Sequence, residues 1–120
     1  MTNESTLSTR VSGAIDKNRE LRDLVQKTNE LMEHKFGKSR GHAVADWEIV
    51  ENGAQSPTLE LTFLDVDANA QVKGRFRPEE LKNENHLRSR LLSMWGDLLE
   101  LRSHWQIDRL LSTSSGREDG

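Results

Sequence analysis

Apolar and polar positions change period twice along this chain of 120 residues. From Leu7 onward they step by four and three: Leu7, Val11, Ala14, Asn18, Leu21, Val25, Thr28, Met32. That spacing predicts one long helix over residues 6–36, closed by Gly37. Between 43 and 50 the period shortens to two. Ala43, Ala45, Trp47 and Ile49 share one side, and Asp46 and Glu48 the other, as in a half-buried strand. Asn52, Gly53 and Pro57 then mark a loop. Alternation returns over 58–66, with Leu59, Leu61 and Phe63 on one side, and over 71–77, with Val72, Gly74 and Phe76. After Pro78, which suits the first turn of a helix, the long period resumes over 84–111, with Asn83 or Asn85 as its cap.

The last two strands predict a hairpin whose register can be tested. Setting Leu61 against Phe76 and Phe63 against Gly74 keeps the apolar residues on one face. Glu60 then faces Arg77, Thr62 faces Arg75 and Leu64 faces Lys73 on the other, with a connection of about "DANA". The last helix carries two apolar lines. One is Leu87, Leu91, Met94, Leu98, Leu101 and Trp105; beside it runs Leu92, Trp95, Leu99 and Leu110. Together they cover about half the circumference, wider than a helix packed on one layer requires.

These elements predict a single α+β domain over residues 6–111, in the order α-β-β-β-α. A three-stranded antiparallel meander packs against the long C-terminal helix, with a long N-terminal helix beside it. Trp95 and Trp105 are expected at a helix-helix contact. Residues 1–5 and the polar run 112–120, "STSSGREDG", read as disordered ends.

The composition narrows the function classes. Hydrophobic residues make up 33% and charged residues 31%, enough apolar material for one small core. The formal net charge is -3, whereas dedicated nucleic-acid-binding domains are more often basic. The chain has no cysteine, which excludes disulfides, thiolate metal sites and a cysteine nucleophile, and fits a cytoplasmic protein. No apolar run reaches the roughly 18 residues of a membrane span, and no signal-peptide pattern opens the chain.

The stretch "LDVDANAQVKGRFR" raises a metal question, because Asp65, Asp67 and Asn69 have the spacing that opens a calcium loop. Counting from Asp65, however, the sixth position is Ala70 rather than Gly and the twelfth is Phe76 rather than Glu. Two defining requirements fail, and turn chemistry accounts for the Asp and Asn residues. Asp97, Glu100, His104 and Asp108 share one side of the last helix, but without a second His one turn away they read as a solvated face. His34, His42 and His86 have no recognisable partner, and neither a nucleophile elbow nor a phosphate-binding glycine loop occurs.

Two patterns point to partners. Placing Val11, Asn18, Val25 and Met32 at one heptad position, and Leu7, Ala14, Leu21 and Thr28 at the other, resembles a parallel two-stranded coiled coil with a single polar Asn. Lys73, Arg75 and Arg77, followed by Arg88 and Arg90, form a candidate phosphate-contacting face. The order helix, three strands, helix is similar to that of double-stranded-RNA-binding domains. The second helix here begins "PEELKNENHL", acidic where that family is lysine-rich. Size, charge and mixed α/β style are similar to those of small acidic secretion chaperones, an analogy at fold level. The expectation is therefore a non-enzymatic protein-protein interaction module, without cofactor or metal, that self-associates as a homodimer. Its candidate interface is Val11, Asn18, Leu21, Val25, Met32, Trp95, Leu99 and Trp105. The alternative is binding of duplex RNA through the basic strand.

Overall fold

The computed structural model describes residues 7–36, 43–50 and 57–119. The expected tail at 1–5, the connector 38–42 with His42, and most of the loop before Pro57 lie outside them. The fold is α+β, with elements β1 (Leu7–Val11), α1 (Gly13–Asp16), α2 (Arg19–Phe36), β2 (Ala43–Val50), β3 (Thr58–Asp65), β4 (Ala70–Phe76), α3 (Pro78–Lys82) and α4 (Glu84–Asp119). The four strands form one sheet in the order β1-β2-β3-β4. β1 runs parallel to β2, and the other two pairings are antiparallel.

The single N-terminal helix expected over 6–36 is thus a strand, a short turn of helix and a shorter helix. Leu7 and Val11 lie four apart, a spacing that one helical turn and two strand repeats share. The β-branched Thr9 between them and the Ser12–Gly13 pair after them favour the strand. Asn18 is the cap of α2: its Oδ1 accepts a hydrogen bond from the Leu21 backbone N–H at 3.2 Å. From there Leu21, Val25, Thr28, Asn29 and Met32 face the sheet and are buried. Asn29 Oδ1 accepts a 2.7 Å hydrogen bond from the Trp47 indole N–H, so α2 is tied to the middle of β2.

The hairpin forms two residues away from the expected register. Leu59 pairs with Phe76, Leu61 with Gly74 and Phe63 with Val72, which keeps every residue on its expected face. The connection is residues 66–69. Its last residue, Asn69, has φ 53°, a left-handed conformation that Asn tolerates better than the Ala70 of the expected loop. Gly74 comes to lie under α4, where a Cβ would stand 2.6 Å from Met94 Sδ.

Both long helices cover one face of the sheet. Trp47 and Phe76 have ring centroids 6.1 Å apart, and Phe63 meets Trp95 edge-on at 5.5 Å. Trp95 therefore anchors α4 to the sheet rather than to a second helix. Asn83 caps α4 as expected, its Oδ1 accepting from the His86 backbone N–H at 3.3 Å. The helix backbone runs on to Asp119, past the end predicted at residue 111. The other face of the sheet carries Arg10, Asp46, Glu48, Glu60, Thr62 and Lys73 around a shallow hollow of about 190 Å³.

Candidate functional site

The chain's own groups engage both carboxylates of the Asp65 turn. Asp65 is buried at the end of β3, and its Oδ1 accepts a hydrogen bond from the Ala68 backbone N–H at 2.9 Å, holding the turn closed. Its Oδ2 meets the Arg102 guanidinium of α4 at 2.7 Å, and Arg102 also reaches Asp67 at 3.6 Å. The two carboxylates converge on a cation that the chain itself supplies. The turn is a clamp for the middle of α4.

The basic candidates do not form one surface. Lys73 and Arg75 lie on the open face of the sheet, where Arg75 pairs with Glu60 at 3.4 Å, the expected cross-strand bridge with Arg75 in place of Arg77. Arg77 precedes α3, and its backbone N–H donates to Glu80 Oε1 at 2.7 Å. Arg88 pairs with Glu84 at 2.8 Å. Arg90 lies over the Phe76 ring at 4.0 Å and beside Glu80 at 3.6 Å. Arg75, Arg88 and Arg90 are thus each matched to a carboxylate, which removes most of the attraction that a phosphate backbone would feel.

The heptad residues of the N-terminal segment are used inside the chain. Leu21, Val25 and Met32 are buried beneath α2, Asn18 is its exposed cap, and Val11 packs at the margin of the core from β1. No coiled-coil face is left there. Between α2, α3 and the start of α4 lies an open cleft of about 240 Å³, floored by Leu24, Leu31, Leu81 and Leu87, with Lys27 and Lys82 at its rim.

The apolar surface left over lies on α4. Among the described residues the exposed large hydrophobics are Val66, Leu92, Leu99, Leu101, Ile107, Leu110 and Leu111, and all but Val66 belong to this helix. Leu87, Leu91, Met94, Trp95 and Leu98 are buried against the sheet, whereas Leu101, expected to join them, is 41% exposed. Trp105 is half-buried with the Arg109 guanidinium 5.3 Å from its ring. At 100° per residue, Leu92, Leu99 and Leu110 lie about 120° around the helix from the Leu87, Leu91 and Leu98 line. Gly96, Ser103 and Ile107 fall along the same outer stripe.

Asp97, Glu100, His104 and Asp108 are all exposed on the flank of that stripe. Among the described residues no group of three His, Asp or Glu side chains is arranged to hold a metal ion, and no helix is long and apolar enough to cross a membrane. No family model, curated protein or solved structure matches the chain.

Proposed function

We propose that this chain is a non-enzymatic protein-protein interaction module, a small acidic cytoplasmic adaptor that docks through the outer face of α4. The observation that carries the reading is the concentration of exposed apolar side chains there. Leu92 is 51% exposed, Leu99 42% and Leu110 69%, on a helix whose other apolar line already fills the core. Scattered single hydrophobics are ordinary on a protein surface, but a contiguous line of them marks an interaction site. The polar residues beside it, Glu100, His104 and Gln106, supply a wet rim of the kind that surrounds an apolar interface centre.

Copurification from the native host tests this, with the unaltered chain and a Leu99→Lys/Leu110→Lys variant as parallel baits. Both positions are exposed, so the variant keeps its fold, checked by circular dichroism. A partner held by the unaltered chain and lost from the variant supports the reading. Retention that is indifferent to both charges overturns it.

A further inference from the structure

We infer that the cleft between α2, α3 and the start of α4 binds a small amphipathic anion: a short aliphatic chain ending in a carboxylate. This goes beyond the docking reading above. It concerns a different surface and stands or falls separately.

Three elements supply the floor of the cleft. Leu24 and Leu31 come from α2, Leu81 is the buried residue of α3, and the buried Leu87 enters from the first turn of α4. A step of seven residues falls only about 20° short of two full helical turns, so Leu24 and Leu31 form one ridge. Thr28 lies between them, and its hydroxyl is spent on the Leu24 carbonyl at 2.9 Å. The floor is therefore dry. It also offers no hydrogen bond to the amides of an extended peptide, because positions 24 to 31 are interior to α2, where the backbone groups pair with one another. An inserted aliphatic chain has no such groups to satisfy. Leu24 and Leu31 are half-buried while Leu21, Val25 and Met32 on the same helix are covered, so an occupant would complete their burial.

The rim selects the head group. Its charged side chains are Lys27, Lys82 and Glu84. Glu84 is bonded to Arg88 one turn along α4 at 2.8 Å, so its charge is answered. Lys82 meets Glu20 at 3.6 Å, but these side chains are 57% and 70% exposed, and a pair of that kind is weak. Among the described residues no ion pair engages Lys27. An uncommitted cation, with a second one loosely held, thus stands above an apolar floor. The complement is a molecule with one anionic end and a hydrocarbon body.

Size sets the length of that body. At about 240 Å³ the cleft is smaller than the roughly 300–1,000 Å³ of sites for drug-sized molecules. It takes one short chain, not a ring system or a two-tailed lipid.

Titration of the full chain with hexanoate, octanoate and decanoate, followed residue by residue through backbone amide NMR shifts, tests this. The expected shifts centre on Leu24, Lys27, Leu31, Leu81 and Leu87. Affinity should rise about two- to fourfold for each methylene that enters the cleft, then level off when the chain outgrows it. Octylammonium, with the same tail and the opposite charge, should bind at least about fivefold more weakly than octanoate, and Lys27→Met should cost octanoate a similar factor. Lys27 is exposed, so that variant keeps its fold. Shifts centred instead on Leu92, Leu99 and Leu110 would mean indiscriminate coating of apolar surface and overturn the site. Equal binding of octylammonium, or an indifferent Lys27→Met chain, would overturn the head group. A short peptide ending in leucine that outcompetes octanoate in the cleft would overturn the ligand class in favour of a protein terminus. No shift up to about 10 mM of any of the three acids would overturn the inference outright. Docking through α4 is judged by copurification whichever result is obtained here.

Discussion

Helices α2 and α4 lie over the same sheet but use their surfaces differently. Over residues 19–35 of α2 no large hydrophobic is exposed: Leu21, Val25, Thr28 and Met32 face the strands, and Leu24 and Leu31 are half-covered. α4 buries one apolar line and exposes another. α2 closes the fold, whereas α4 closes it and still offers a face. Composition does not separate them, since each has leucines at helical spacing. The difference lies in whether a second apolar line exists and whether anything in the chain reaches it.

The largest test of that contrast lies under α2. Trp47→Ala removes a fully buried ring and leaves Asn29 without its partner. The expected loss is about 3–5 kcal/mol in denaturant unfolding. If α4 is a helix with one side to spare, Leu99→Ala should leave unfolding within about 0.5 kcal/mol, as for other surface substitutions. A Leu99→Ala loss comparable to that at a core leucine would show that the outer line supports the fold, and the contrast would collapse.

The next effect separates the parts of α4 itself. The Asp65 side chain is 5% exposed and that of Arg102 18%, so their bridge is mostly shielded. Asp65→Ala leaves Arg102 with only the longer, more exposed contact to Asp67, and it also frees the Ala68 N–H. Breaking a buried pair by removing one partner costs about 3 kcal/mol or more; the remaining contact to Asp67 argues for the lower end. Hydrogen exchange should quicken around residues 99–105 of α4 while α2 stays protected. Equal loosening of both helices would mean that the clamp serves the whole fold rather than this segment.

Much of this was legible in the sequence where a pattern fits only one period. The strands of the meander alternate without ambiguity, and the two apolar lines of α4 could be read directly, including the excess of surface they imply. Leu7 to Val11 could not be separated from the helix that follows, because a step of four fits both structures. Asn18 then read as a polar position in a heptad, although Asn is equally a helix cap. The hairpin register was ambiguous by two residues because such a slip moves no side chain to the other face. What breaks the tie is local: the left-handed position falls to Asn69, and Gly74 falls under Met94. The pairing of Asp65 with Arg102 joins residues far apart in the chain and carries no local pattern at all.

Two glycines give the smallest and sharpest test. Gly74→Ala places a methyl into Met94 and should destabilise the chain by about 1–3 kcal/mol, softened by rotation of the flexible methionine. Gly96→Ala places the same methyl where nothing stands, inside a helix. It should stabilise the dilute monomer by about 0.5–1 kcal/mol, raising its unfolding midpoint. The readout is the unfolding midpoint of each variant against that of the native chain. Opposite signs at the two glycines keep the contrast between a covered and an uncovered position, whereas a loss at Gly96 comparable to that at Gly74 would show that the outer face of α4 is not free there.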